Sequence, residues 1–270
     1  MRFFVAAAAF LMFHAGQSRA EVTWEQQAER LQNISATLLD GVPFAEPIAK
    51  TRGIEASAAV SFLPKTNPTI GGKSEKVPSS PVHMVPTFKF DHRPSSIFSG
   101  NVGYEVWAGY LPSGGEKLVN INAKLTQYLA GSALDYVLAL DQGMAIHLPL
   151  GVQVSSASVK GAITAKDSND SFTAATSLFY FAPGIVLPLE AMLGPGESAW
   201  FNLLLGSKTT SSDFKIPADG TEFKLKDNRA VAQIAAGVSL ARGFEIGAGL
   251  LYVPERLMMP RLRVGYHFAF

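Results

Sequence analysis

The sequence predicts an all-β fold: a transmembrane antiparallel up-and-down β-barrel of about ten strands, with a short N-terminal helix. Three observations predict it. Apolar residues recur at every second position through several separate segments, the chain is poor in charge, and its last nine residues form an alternating strand that ends in Phe270.

Composition sets the bounds. The 270 residues are 47% hydrophobic and only 17% charged, below the roughly one quarter usual for a soluble domain. The absence of cysteine excludes a disulfide framework, a thiolate metal site and a lipoprotein anchor. The net charge is +1 over the whole chain; past residue 20 it becomes 21 basic against 22 acidic residues. No basic surplus marks a nucleic-acid partner.

Residues 1–20 read as a signal peptide. Arg2 supplies the positive start, Phe3 to Phe13 the apolar run, and Ser18 and Ala20 the small residues before a cut at Glu21. The run is too short to cross a bilayer as a helix. In residues 21–50, Trp24, Ala28, Leu31, Ile34 and Leu38 fall near helical spacing. They predict a helix that lies in the periplasm beneath the barrel or plugs it from within. Residues 51–270 form the barrel.

Within that domain, Ile54, Ala56, Ala58, Val60 and Phe62 alternate with Glu55, Ser57 and Ser61. Val102 to Tyr110, Val119 to Leu125, Ala230 to Leu240 and Phe244 to Tyr252 repeat the pattern, and Ala241-Arg242-Gly243 joins the last two as a tight hairpin. No apolar set contains a charge. A Lys or Arg facing lipid at mid-membrane costs about 2–4 kcal/mol, so the apolar sets are assigned to lipid and the opposite sets to the lumen. Glu55, Glu105, Lys124, Arg229, Glu245 and Arg263 are the lumen-lining candidates.

At the C terminus, Leu262, Val264, Tyr266, Phe268 and Phe270 share one face, with Arg261, Arg263, Gly265 and His267 on the other. This tail resembles the last strand of bacterial outer-membrane β-barrels. The resemblance implies residence in the bacterial outer membrane, contact with its lipid, and delivery by periplasmic chaperones to the barrel-assembly machinery. It implies that Tyr266, Phe268 and Phe270 carry the assembly signal.

An even strand number, with termini on the periplasmic side, predicts outer loops at 64–80, 111–117, 163–171, 207–228 (the longest between strands) and 253–259. Parity then makes Gly131 to Ala145 a periplasmic connection, with a short helix around Ser132 to Leu140. Gly72-Lys73-Ser74 lacks the first glycine of a phosphate loop, and Gly196-Glu197-Ser198 lacks the closing glycine of a nucleophile elbow. Asp91-His92 resembles the acid and His of outer-membrane proteases but falls at the wrong end of the barrel. His83, His92, His147 and His267 lack ligand spacing. The expected protein has no catalytic, cofactor or metal site. It is a narrow or gated channel for small or hydrophobic solutes, or alternatively a structural or surface-binding barrel acting through its outer loops.

Overall fold

The computed structural model describes residues 43, 52–62, 69–70, 73–74, 82–94, 101–118, 121–140, 144–161, 171–189, 194, 197–216, 221–240, 243–253 and 257–270. The signal peptide and the N-terminal helix expected before β1 lie outside the described residues.

Ten antiparallel strands close into a barrel: β1 (Arg52–Phe62), β2 (Val82–His92), β3 (Val102–Leu118), β4 (Ile121–Ala139), β5 (Ala145–Gly161), β6 (Ser171–Phe181, continued by Gly184–Pro188), β7 (Ser198–Ile216), β8 (Thr221–Ser239), β9 (Phe244–Val253) and β10 (Leu257–Ala269). Each pairs with its sequence neighbours, and β10 pairs back to β1 from Gly53↔Ala269 to Ser61↔Arg261. Closure of β10 on β1 removes the free edges that the first and last strands would otherwise present, which is what a sheet needs where no water can satisfy its backbone. In β6, Pro183 lacks an N–H, and the strand breaks there. Ala182 N–H still donates to Pro149 O and Leu203 N–H to Pro183 O, so the wall stays continuous. A small hairpin, Thr69–Ile70 with Lys73–Ser74, sits within the first outer segment.

The two faces of the wall follow the alternation. Exposed apolar side chains, among them Phe88, Leu134, Val152, Phe201, Ile246 and Val264, all point outward. The outer face turns polar at Ser156, Ser177, Thr209 and Asn228. On β4 the apolar stretch runs from Tyr128 to Leu138. That is roughly 33 Å along a strand and about 25 Å after a 40° tilt, the height of an outer-membrane hydrocarbon band. Aromatic rings edge it. Phe244, Tyr266 and Phe268 pack edge-to-face at the terminal end with centroids 4.8 and 4.4 Å apart, and Tyr110 stacks on Tyr128 at 5.0 Å near the other.

Three topological expectations are corrected. Ser132–Leu140 forms no helix, and Gly131–Ala145 is no connection. Gly131 through Ala139 belong to β4, and the turn begins after residue 139. The segment misleads because Leu129, Ala133 and Val137 face the lumen while Leu134, Tyr136 and Leu138 face lipid, so both faces are apolar and the period-2 contrast vanishes. Residues 207–228 are not a long loop either. β7 and β8 run on above the band in unbroken register from Ser198↔Ser239 to Ile216↔Thr221. Ser207, Thr209 and Ser211 lie on the outer face there while Thr210 and Ser212 are buried inside, and Thr suits a strand as well as a loop. Residues 111–117 likewise stay in β3, which absorbs Pro112 and Ser113 in a register shift between Leu111 and Gly114.

Candidate functional site in the lumen

Alternation carries one polar side chain in every two residues to the inside, and there they meet across strands. Near the terminal end, Lys89 Nζ lies 2.8 Å from Glu55 Oε2 and 3.6 Å from Glu105 Oε2. Arg263 bridges Glu55 to Glu245, the latter at 3.3 Å. Around the same end, His267 Nε2 is 2.7 Å from Asp91 Oδ1, and Asp135 Oδ2 is 2.7 Å from His147 Nδ1 and 3.4 Å from Arg93 Nη2. Leu148 N–H also donates to Asp135. Glu55 and Asp135 are essentially inaccessible. Charges buried so deeply persist only when paired and hydrogen-bonded. The network therefore fills the inner end of the barrel with mutually compensating ions.

Aromatic rings complete this filling by lying over glycines on the next strand. A Cβ on Gly131 would stand 2.2 Å from Trp107, one on Gly151 2.4 Å from Tyr180, and one on Gly237 2.4 Å from Trp200. These glycines leave room for rings that a ten-stranded lumen otherwise lacks. Trp107 Nε1 is held by Gln153 Oε1 at 2.9 Å.

Toward the outer side apolar residues join the lining, interleaved with buried Gln127, Ser155, Thr176, Lys208, Thr210 and Arg261. Leu129, Leu178, Leu204, Val231, Leu251 and Met259 all face inward and are buried. Within this layer, Gln233 accepts from Arg261 and donates from Nε2 to the Pro43 carbonyl at 3.3 Å. Pro43 is the one described residue before β1, and its carbonyl is inside the barrel.

Four of the six lumen candidates, Glu55, Glu105, Glu245 and Arg263, sit in the ionic network. Arg229 faces inward higher up and pairs with Asp227, away from the others. Lys124 is in β4 opposite Gly115 and Lys160, and its side chain is outside the described residues. The even positions of that strand face outward at Tyr128, Ala130, Leu134 and Tyr136. Sequence reasoning missed Lys89 and Asp135 as lumen groups. Phe88-Lys89-Phe90-Asp91 carries the alternation that marks them. His92 faces away from its sequence neighbour and packs edge-on against Tyr104 at 5.7 Å. The partner of Asp91 is His267. Tyr266, Phe268 and Phe270 sit on β10 and just past it, where Arg52 lies 4.9 Å over the Phe270 ring. No cluster of metal-ligating side chains occurs among the described residues.

An apolar band some 25 Å high around a closed sheet with a charged interior defines the class. The chain is a β-barrel of the bacterial outer membrane. The chain is similar to several solved structures. The translocator domain of the autotransporter NalP from Neisseria meningitidis superposes with a TM-score of 0.50 at 11% identity, covering 100% of both chains. The outer-membrane protease OmpT from Escherichia coli gives 0.46 at 8% identity over 80% of this chain and 97% of its own. Ail from Yersinia pestis gives 0.30 at 13% identity, over 80% and 97%. No family model and no curated protein matches this outer-membrane barrel.

Proposed function

We propose that this barrel is a gated passage for small apolar solutes rather than an open aqueous pore. The observation that carries the reading is the layering of the lumen. Leu129, Leu178, Leu204, Val231, Leu251 and Met259 offer apolar surface, beside buried Gln127, Lys208, Gln233 and Arg261, above an ionic floor built on Glu55, Lys89, Asp91, Glu105, Asp135 and Arg263. A hydrated ion meets fixed, mutually paired charges in that floor. An apolar solute is stabilised by about 25 cal/mol for each Å² of its surface that the upper layer covers. We assign the gate to the N-terminal segment because the Pro43 carbonyl accepts from Gln233 Nε2.

The test compares two readouts on the full-length mature protein. In planar bilayers the reading expects no steady single-channel conductance. In vesicles it expects a fluorescent apolar probe to be quenched by lumen tryptophans Trp107 and Trp200, more strongly after deletion of residues 21–45. Steady conductance with no probe quenching overturns it. The height of the β7–β8 hairpin above the band favours a second reading, a surface-binding barrel. That reading expects partner binding to be lost on trimming 207–228 while probe quenching is absent throughout.

A further inference from the structure

The register of the closed wall is slanted. Followed once around the barrel, the paired positions lead from Ser239 on β8, by way of β9, β10 and β1 to β7, back to β8 at Asp227, an offset of twelve residues toward the outer end. Strands tilted by about 40° therefore raise each register row by about 3 Å per strand. Two adjacent rows of outward residues climb the wall in this way. The lower runs from Phe88 on β2 through Ala108, Ala130 and Val154 to Thr209 on β7. The upper runs from Tyr110 and Tyr128 to Ser211. Together they line an open trough of about 1010 Å³ on the outer face. From β2 to β7 it extends about 24 Å while climbing about 15 Å. The small side chains of Ala108 and Ala130 leave the depression, and Val152 and Phe179, opposed on β5 and β6, form its lower lip. Phe88 marks its lower end, inside the hydrocarbon band. Thr209 and Ser211 mark its upper end, where the outer face has turned polar.

The upper end also carries charge. On the outward face of the β7–β8 hairpin, Lys215 is 2.9 Å from Glu222, and Lys224 stands opposite Asp213, so these charges offset one another. Lys226 is exposed and stands opposite Ser211, at the head of the trough. Asn228 stands opposite Thr209 beside it. Hydrocarbon gains little by leaving other hydrocarbon, so an apolar trough alone selects no lipid. A cation and hydroxyls at its head do select, by headgroup, because an ammonium forms a charge-assisted hydrogen bond with a phosphate. We propose that the trough binds a lipid of the outer leaflet whose phosphate headgroup carries net negative charge, with one acyl chain along Phe88, Ala130 and Val154 and the phosphate at Lys226 and Ser211. The site lies on the lipid side of the wall and is independent of what the lumen passes.

The test places the full-length mature protein in phosphatidylcholine vesicles doped with phosphatidic acid whose acyl chain bears a diazirine, or with diacylglycerol bearing the same chain. After illumination, labels are mapped by mass spectrometry and expressed as the ratio of trough residues Ala108, Ala130 and Val154 to Leu262, which faces lipid on β10. In the native protein the ratio is expected to be higher for phosphatidic acid than for diacylglycerol. A lysine near an anionic lipid contributes about fivefold in affinity. Lys226→Gln, an exposed change above the band, is therefore expected to lower the phosphatidic acid ratio by up to about fivefold and leave the diacylglycerol ratio unchanged, whereas Lys226→Arg keeps both. Ala130→Trp fills the trough and is expected to lower the phosphatidic acid ratio at Ala108 and Val154. Equal ratios for the two lipids in the native protein overturn the site. A phosphatidic acid ratio unchanged by Lys226→Gln overturns the placement of the phosphate.

Discussion

Val152 sits on β5 between outward Leu150 and Val154, near the middle of the apolar band, with 48% of its surface exposed. Replacing it by Arg tests the orientation of the whole wall. If the outer face meets hydrocarbon, the guanidinium at mid-depth costs about 2–4 kcal/mol. That is roughly a 30- to 1,000-fold fall in the ratio of folded to unfolded protein. Two turns of the pleat higher, Ser156 lies where the outer face becomes polar, and Ser156→Arg is expected to cost at most about 1 kcal/mol, because the penalty fades toward the interface. The assay is reversible urea unfolding in large unilamellar vesicles, followed by the fluorescence of lumen residues Trp107 and Trp200. Equal, small effects at both depths would sink the reasoning, since a water-facing sheet tolerates Arg at either place.

Three further outcomes follow from the interior. Glu55→Gln removes the carboxylate that Lys89 and Arg263 share, leaving Lys89 with Glu105 and Arg263 with Glu245, and is expected to destabilise by about 1.5–3 kcal/mol in the same assay; a loss below a third of this would mean that water reaches the network. Gly131→Val drives a branched side chain into the Trp107 ring, with an expected cost of about 1–3 kcal/mol or more and a shifted tryptophan emission. Phe270→Ala removes the ring under Arg52 and the end of the aromatic edge, and is expected to lower the fraction of heat-modifiable, folded barrel on gels of membrane extracts without changing the migration of what does fold.

Much of the wall was legible because one face of each strand must be free of charge. At β1, the first half of β3, and β8 to β10, the apolar and polar sets seen in the sequence occupy the faces assigned to them. The failures share a cause. In β4 the lumen layer is itself apolar at Leu129 and Val137, so the sequence loses the contrast on which a strand is recognised. Above the band the rule reverses: outward Ser207, Thr209 and Ser211 face water, and a strand there has the composition of a loop. Glycine added to this, since Gly131 looks like a break and serves as the floor beneath an indole. The site was half legible. Which residues face inward follows from parity. Which of them meet does not, because Asp91 and His267 come from opposite ends of the barrel domain and only closure brings them to 2.7 Å.

The pairing of β1 with β10 also governs how the molecule must be made. Contacts that join residues so far apart in sequence are the slowest to form, and until they do, both terminal strands present bare edges able to recruit any passing polypeptide. The cylinder cannot be finished before its last residue has been released by the secretory apparatus. The nascent form is therefore an open, sticky sheet with a finite waiting time in the periplasm, and the abundance of mature barrels depends on how well that interval is guarded.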